Sequence, residues 1–165
     1  MLGLENFDQT FVTNDTDLFL ASATTNAAAK SLVAGTTATT VGDVFTTDSS
    51  HALYEDQSGA VPTLNAYAVG GTTPTVLGQN PLLVVGTGTS SSVVLFTNNP
   101  FPSATLSNGL GTADIYSVDT AATAAAALLV SQANVNFYLT AARDKVAYVW
   151  DVQAGPKAGL YVVSP

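Results

Sequence analysis

The chain has 165 residues, enough for one domain that buries roughly 70% of its unfolded surface; 47% of them are hydrophobic and the mean hydropathy is +0.30, which excludes disorder throughout. Twelve acids face only four cations, Lys30, Arg143, Lys145 and Lys157, for a net charge of −8. That leaves no basic stripe to neutralise phosphates and argues against nucleic acid or anionic lipid as partners.

The absence of Cys and the single histidine, His51, exclude disulfides and zinc sites of the usual composition. At the N-terminus, Leu2, Gly3 and Leu4 give way to Glu5 and Asp8, without a basic stretch or a continuous apolar one, so no Sec-type signal is expected. Leu2, Leu4, Phe7 and Phe11 punctuate this acidic segment with large apolar groups, a pattern suited to an arm laid on a neighbouring protein. The expectation is an N-terminal arm over residues 1–16 and a single mainly-β domain over 17–165. The alternative, that these side chains fold back into their own core, stays open. Asp15 and Asp17 have a D-x-D spacing that suits calcium, but the central Gly and terminal Glu of a calcium loop are missing.

A short helix is expected over Asn26–Ala34, stopped by Gly35. His51 lies beside Asp48, Ser49 and Ser50, yet no G-x-S-x-G elbow accompanies the group, so it reads as a loop histidine. From Gln57 to Ala113 the chain runs 57 residues without one Asp, Glu, Lys or Arg. Neutral hydroxyl and amide groups cost far less to bury than ions, so this block reads as surface that ends up against other protein. Within it, short strands are expected around Leu64–Val69, Leu82–Val85 and Val93–Thr97, punctuated by Gly70, Gly71, Pro74, Gly86 and Gly88. Gly86-Thr87-Gly88 lacks the third Gly and the following helix of a dinucleotide turn, and reads as a hairpin. Phe101, held between Pro100 and Pro102, is expected in a stiff loop whose ordering costs little on binding, and the alternative of an inward-facing loop plug stays open.

The last third is more ordinary in composition. Asp119 is a good N-cap before an Ala-rich run, so a helix is expected over Asp119–Gln132. The apolar run Ala124–Val130 is far shorter than the roughly 20 residues that span a bilayer. Val135, Phe137 and Leu139 alternate with polar neighbours, as do Val146, Tyr148, Trp150 and Val152; with Leu160–Ser164 they form an expected three-stranded meander. The fold class is therefore mainly β, an antiparallel sandwich or small barrel with one or two short helices.

A small, acidic, Cys-free, Thr/Ala/Gly-rich β chain with turns such as Thr72-Thr73-Pro74-Thr75 and Gly86-Thr87-Gly88-Thr89-Ser90-Ser91-Ser92 resembles the capsid cement or decoration proteins of tailed bacteriophages. The resemblance covers overall character and no specific motif. It implies a non-enzymatic, cofactor-free virion protein, made in the host cytoplasm, that sits on the outer capsid surface. There it would bind the major capsid protein as a homo-oligomer, dimer or trimer, and clamp subunits together. Leu4, Phe7, Phe11 and Phe101 are the expected shell contacts. The competing expectations are another self-assembling protein of a tail, fibre or surface layer, and a carbohydrate-binding sandwich using Trp150, Tyr148 or Tyr161. Periodicity places Trp150 and Tyr148 in the core.

Overall fold

The computed structural model describes residues 2–5, 17–20, 30–33, 38–39, 42–98, 112–122, 124–150 and 158–165. Its strands are β1 (Leu2–Glu5), β2 (Asp17–Leu20), β3 (Lys30–Val33), β4 (Ala38–Thr39), β5 (His51–Asp56), β6 (Thr63–Ala68), β7 (Pro74–Gln79), β8 (Pro81–Gly86), β9 (Val93–Asn98), β10 (Thr112–Asp119), β11 (Ala127–Leu139), β12 (Val146–Trp150) and β13 (Gly159–Val163). They form three antiparallel sheets, β1-β2-β3, β4-β5-β6-β7 and β8-β9-β10-β11-β12-β13, in which every strand pairs with its neighbour in sequence. The fold is mainly β, as the short strands and dense turns predict.

Alternation builds the core. On one face of the four-stranded sheet, Leu53, Leu64, Ala66 and Leu77 point toward Val84, Val94, Phe96 and Val118 of the six-stranded sheet, and the eight make one buried cluster. Two sheets packed face to face through alternating side chains are a sandwich rather than a closed barrel. Phe96 is the largest element of the seam and stacks on Tyr116 at 5.3 Å between centroids. It reaches β7 because position 78 is Gly; a Cβ there would lie 2.5 Å from the Phe96 ring.

The opposite faces are also buried. Ala38, Ala52, Tyr54 and Tyr67 form a second cluster on the four-stranded sheet. Leu95, Ile115, Ala133, Phe137 and Val146 form a third on the six-stranded sheet, flanked by half-buried Leu83, Val85, Tyr148 and Val163. Burial pushes the Tyr54 hydroxyl up to about 12, with the nearby Asp56 and Tyr67 adding to the shift.

The three strands expected in the neutral block appear as β6, β8 and β9, and the expected meander appears as β11, β12 and β13. The two expected helices do not: among the described residues there is none. Lys30–Val33, inside the first, is β3 paired with β2. Ala127–Gln132, inside the second, is the first half of β11, and its residues pair with Ile115, Tyr116 and Ser117 of β10. Alanine's helix preference is a few tenths of a kcal/mol per residue, less than a ladder of sheet hydrogen bonds and the burial of Ile115 opposite Val130. Asp119 still acts as a cap, but of a turn: its Oδ1 accepts from the Ala121 amide at 3.0 Å and its carbonyl from the Ala122 amide at 3.1 Å.

Candidate functional site

Two features bear on function: a charge-free surface, and an end of the sandwich where four loops are tied together. The surface comes from the neutral block. The middles of β6 and β9 are buried on both faces, so the block's exposed apolar side chains lie beside the strands, at Val61 and Val69, or on the sheet-edge strands β7 and β8, at Val76 and Leu82. Val61, Val69, Val76 and Leu82 are 42%, 53%, 61% and 46% exposed. Around them the exposed positions are Gln57, Ser58, Thr72, Thr73, Thr75, Gln79, Asn80, Thr89 and Ser90. The block itself contains no ionic residue, although its turns meet ionic loops: the Val69 amide donates to the Ser50 carbonyl at 2.8 Å and the Asp48 amide to the Ser91 carbonyl at 3.3 Å. Such a surface sheds its water cheaply against another protein.

The loop cluster is built by hydroxyls. Asp48 Oδ1 accepts from Thr46 Oγ1 at 2.6 Å, Ser50 Oγ at 2.7 Å and the Ser50 amide at 3.0 Å. These bonds, the Thr46 hydroxyl first, hold the Asp48 carboxyl below the usual range. His51 Nδ1 lies 2.8 Å from Ser50 Oγ and 3.0 Å from Thr120 Oγ1. Ser50 Oγ donates its proton to Asp48 Oδ1 and Thr120 Oγ1 donates its proton to the Ser92 carbonyl at 2.9 Å. Nδ1 is therefore left as the donor to both hydroxyl oxygens, which fixes the tautomer.

Ser92 Oγ in turn donates to Asp119 Oδ1 at 2.5 Å and lowers that carboxyl as well. Thr47 Oγ1 completes the clamp by donating to the Thr87 carbonyl at 2.6 Å and accepting from the Ser91 amide at 2.9 Å. Ser50 here bridges Asp48 and His51, whereas the order a nucleophile needs runs Ser, His, acid across the two ring nitrogens. The arrangement ties the loop before β5 to the β8–β9 loop and to the turn after β10.

A second tie lies beside it. Arg143, at the β11–β12 turn with φ of 56°, donates from one Nη to Asp43 Oδ2 at 2.9 Å and to the Gly86 carbonyl at 3.1 Å. Asp43 Oδ2 also accepts from the Gly86 amide at 2.9 Å, and the Asp43 amide donates to the Val84 carbonyl at 2.9 Å. The segment at 42–43 thus lies along the outer edge of β8, bridged in parallel at Gly42 and Val84. The Gly86-Thr87-Gly88 stretch is the hairpin loop between β8 and β9, as its sequence predicts, and the Gly88 amide donates to the Arg143 carbonyl at 2.9 Å.

Of the expected shell contacts, Leu4 lies on β1, in register with Leu18 of β2. Phe7, Phe11 and Phe101 fall outside the described residues. Asp17 begins β2, Asp15 is outside the described residues, and no group of three or more potential metal ligands occurs among those described. No helix among the described residues is long and apolar enough to cross a membrane.

The aromatic residues differ from their expected place. Tyr148 and Trp150 are half-buried rather than core, and with Tyr161, Val130 and Ser131 they line a recess of about 300 Å³. Tyr148 and Tyr161 stack at 5.7 Å, Trp150 meets Tyr161 edge-on at 6.2 Å, and the Trp150 indole donates to the Ser131 carbonyl at 2.9 Å. Strand alternation puts these rings on the face of the cluster that holds Leu95 and Val146, opposite the sandwich seam, and they lie at the β12–β13 rim of the sheet. The clamp residues Thr46, Thr47, Ser91 and Thr120 and the Asp43–Arg143 pair carry only a weak sequence signal, the density of hydroxyls around 46–50 and 89–92. Apart from Thr46, whose partners are local, they bond groups 28 to 100 positions away.

No protein-family model matches the chain, and no curated protein matches it in sequence. A solved structure of TolB from Acinetobacter baumannii is similar at a TM-score of 0.46 and 12% identity, over 91% of this chain and 49% of that one. The chain spans about half the length of that neighbour, and a likeness this loose carries no argument about fold or function.

Proposed function

We propose that this chain is a structural virion protein that binds the outer surface of a tailed-phage capsid and stabilises contacts between major capsid subunits. The observation that carries the reading is the neutral surface, with Val61, Val69, Val76 and Leu82 exposed among hydroxyl and amide side chains. A capsid offers the same site many times over, so modest contacts at each copy add up to a durable layer. The net charge of −8 suits an outer layer that meets no nucleic acid. In this role the protein acts as a homo-oligomer without turnover or cofactor. Leu4, Phe7, Phe11 and Phe101 supply apolar anchors to the shell, and the neutral block supplies contacts between neighbouring subunits.

The test is to place charges on that surface. Val69→Glu and Leu82→Glu lie at exposed positions, and each should leave the melting temperature unchanged and reduce occupancy on purified capsids at least tenfold. Full occupancy by both variants would contradict the reading. Filaments or sheets formed by the purified chain alone would instead favour a tail, fibre or surface-layer component.

A second reading rests on the recess of Tyr148, Trp150 and Tyr161, whose rings and neighbouring Ser131 offer stacking and hydrogen bonding to a sugar ring. A glycan array separates the two: saturable binding lost in Tyr161→Ala would favour the carbohydrate module.

A further inference from the structure

The segment before β5 belongs to one sheet at its flanks and to the other in its middle. On the near side β4 pairs with β5; on the far side the Val44 carbonyl accepts from the Leu53 amide at 3.0 Å and Phe45 bridges Ala52, so both flanks are fixed to the four-stranded sheet. Between them Gly42 and Asp43 form a strap that reaches across to β8, the edge strand of the six-stranded sheet.

Asp43 stands in there for a strand residue. In a parallel ladder a residue donates its amide to the carbonyl just before its partner, and its own carbonyl accepts from the amide just after it. Asp43 sits opposite Val85 in this way: its amide donates to the Val84 carbonyl at 2.9 Å, but its side-chain Oδ2 takes the place of its carbonyl and accepts from the Gly86 amide at 2.9 Å. Arg143 donates to the Gly86 carbonyl at 3.1 Å and to the same Oδ2 at 2.9 Å, so the outward groups of β8 from the Val84 carbonyl to the Gly86 carbonyl are all engaged. Neither Gly42 nor Asp43 carries an apolar side chain, and Arg143 and Asp43 are 38% and 34% exposed. The strap is therefore held by polar bonds for which water and salt compete.

From this geometry we infer that the strap at 42–43 is a latch on the β8 edge: it lifts as a unit while the sandwich stays folded, and Arg143 holds it closed. The flanks at β4 and Val44 act as its hinges, since their bonds go to the sheet the strap does not leave. Closed, the latch keeps this edge from pairing with another chain, the role that lysines, prolines and bulges fill on other sheet edges. Open, β8 presents the Val84 carbonyl and the Gly86 amide and carbonyl to an added strand. The latch is independent of the capsid reading, because the purified chain alone tests it.

Native-state hydrogen exchange of the full chain, followed by NMR, separates this opening from global unfolding. The Asp43 and Gly86 amides should share one protection level, lower than that of the Leu95 amide in mid-sheet and unchanged by low urea. Arg143→Ala should lower the protection of both about fivefold, and molar sodium chloride should lower it in the unaltered chain as well, while the Leu53 amide at the hinge changes less than twofold. Protection of Asp43 and Gly86 that falls with urea as Leu95 does, or that ignores either Arg143→Ala or salt, would overturn the latch. Loss of protection at Leu53 in step with Gly86 would overturn it too, by showing that the whole segment detaches.

Discussion

Single residues hold the loop end of the sandwich, and their chemistry sets measurable limits. Gly42 has φ of 151°, and a Cβ at that position would lie 2.0 Å from the Val84 carbonyl oxygen. Gly42→Ala should therefore lift the strap from β8 and cost about 3 kcal/mol in urea denaturation. Arg143 and Asp43 are 38% and 34% exposed, so solvent screens their bridge; Arg143→Ala should cost only about 1 kcal/mol by the same measurement. Asp48 and Asp119 have carboxyls held below their ordinary value of 3.8 by the Thr46 and Ser92 hydroxyls. Above that value both are ionised whether the chain is folded or not, and their stabilisation is complete. It is lost as pH falls from 3.8 through their lower folded-state values, because the unfolded chain then takes up protons first. The urea midpoint should drop in that acid window, and Asp48→Asn should flatten the drop. An identical pH profile in the variant would show that Asp48 has no part in it.

The elements depend on contacts of different range, and this decides how much of each the sequence discloses. β9 carries the seam: Phe96 is 2% exposed, packed between Gly78 of β7 and Tyr116 of β10. Phe96→Ala should cost about 3–5 kcal/mol, read from the denaturation midpoint, because two sheets rather than one close around the cavity. β12 and β13 are legible in the sequence because their alternation is local and the turn before β12 is marked by Arg143-Asp144. β11 is legible only in its second half. From Ala127 to Gln132 the local preference is helical, and only the pairing with β10, ten or more residues back, makes it strand. β7 is masked by Pro74, which reads as a breaker yet occupies the first strand position, where a missing amide is tolerated. The clamp around His51 is illegible for the same reason as β11: nothing near Thr47 in the chain announces that its partners are Thr87 and Ser91.

At the scale of the whole molecule, charge is segregated from the strands that carry the neutral face. Acids gather at the loop clamp and the N-terminal third, while β6 to β9 have none. That segregation was plain in the sequence, whereas the exposure of Val69, Val76 and Leu82 required the fold, since only the structure shows that β6 and β9 are buried on both faces while the turn at Val69 and the edge strands β7 and β8 are not. The account's central claim is that this surface belongs in a virion shell. The most direct measurement is to separate a native lysate on a density gradient and quantify this chain and the major capsid subunit by peptide mass spectrometry across the fractions. The account predicts that the chain bands with DNA-filled particles at a high, constant ratio to the major subunit. A distribution confined to the free-protein fractions would contradict it.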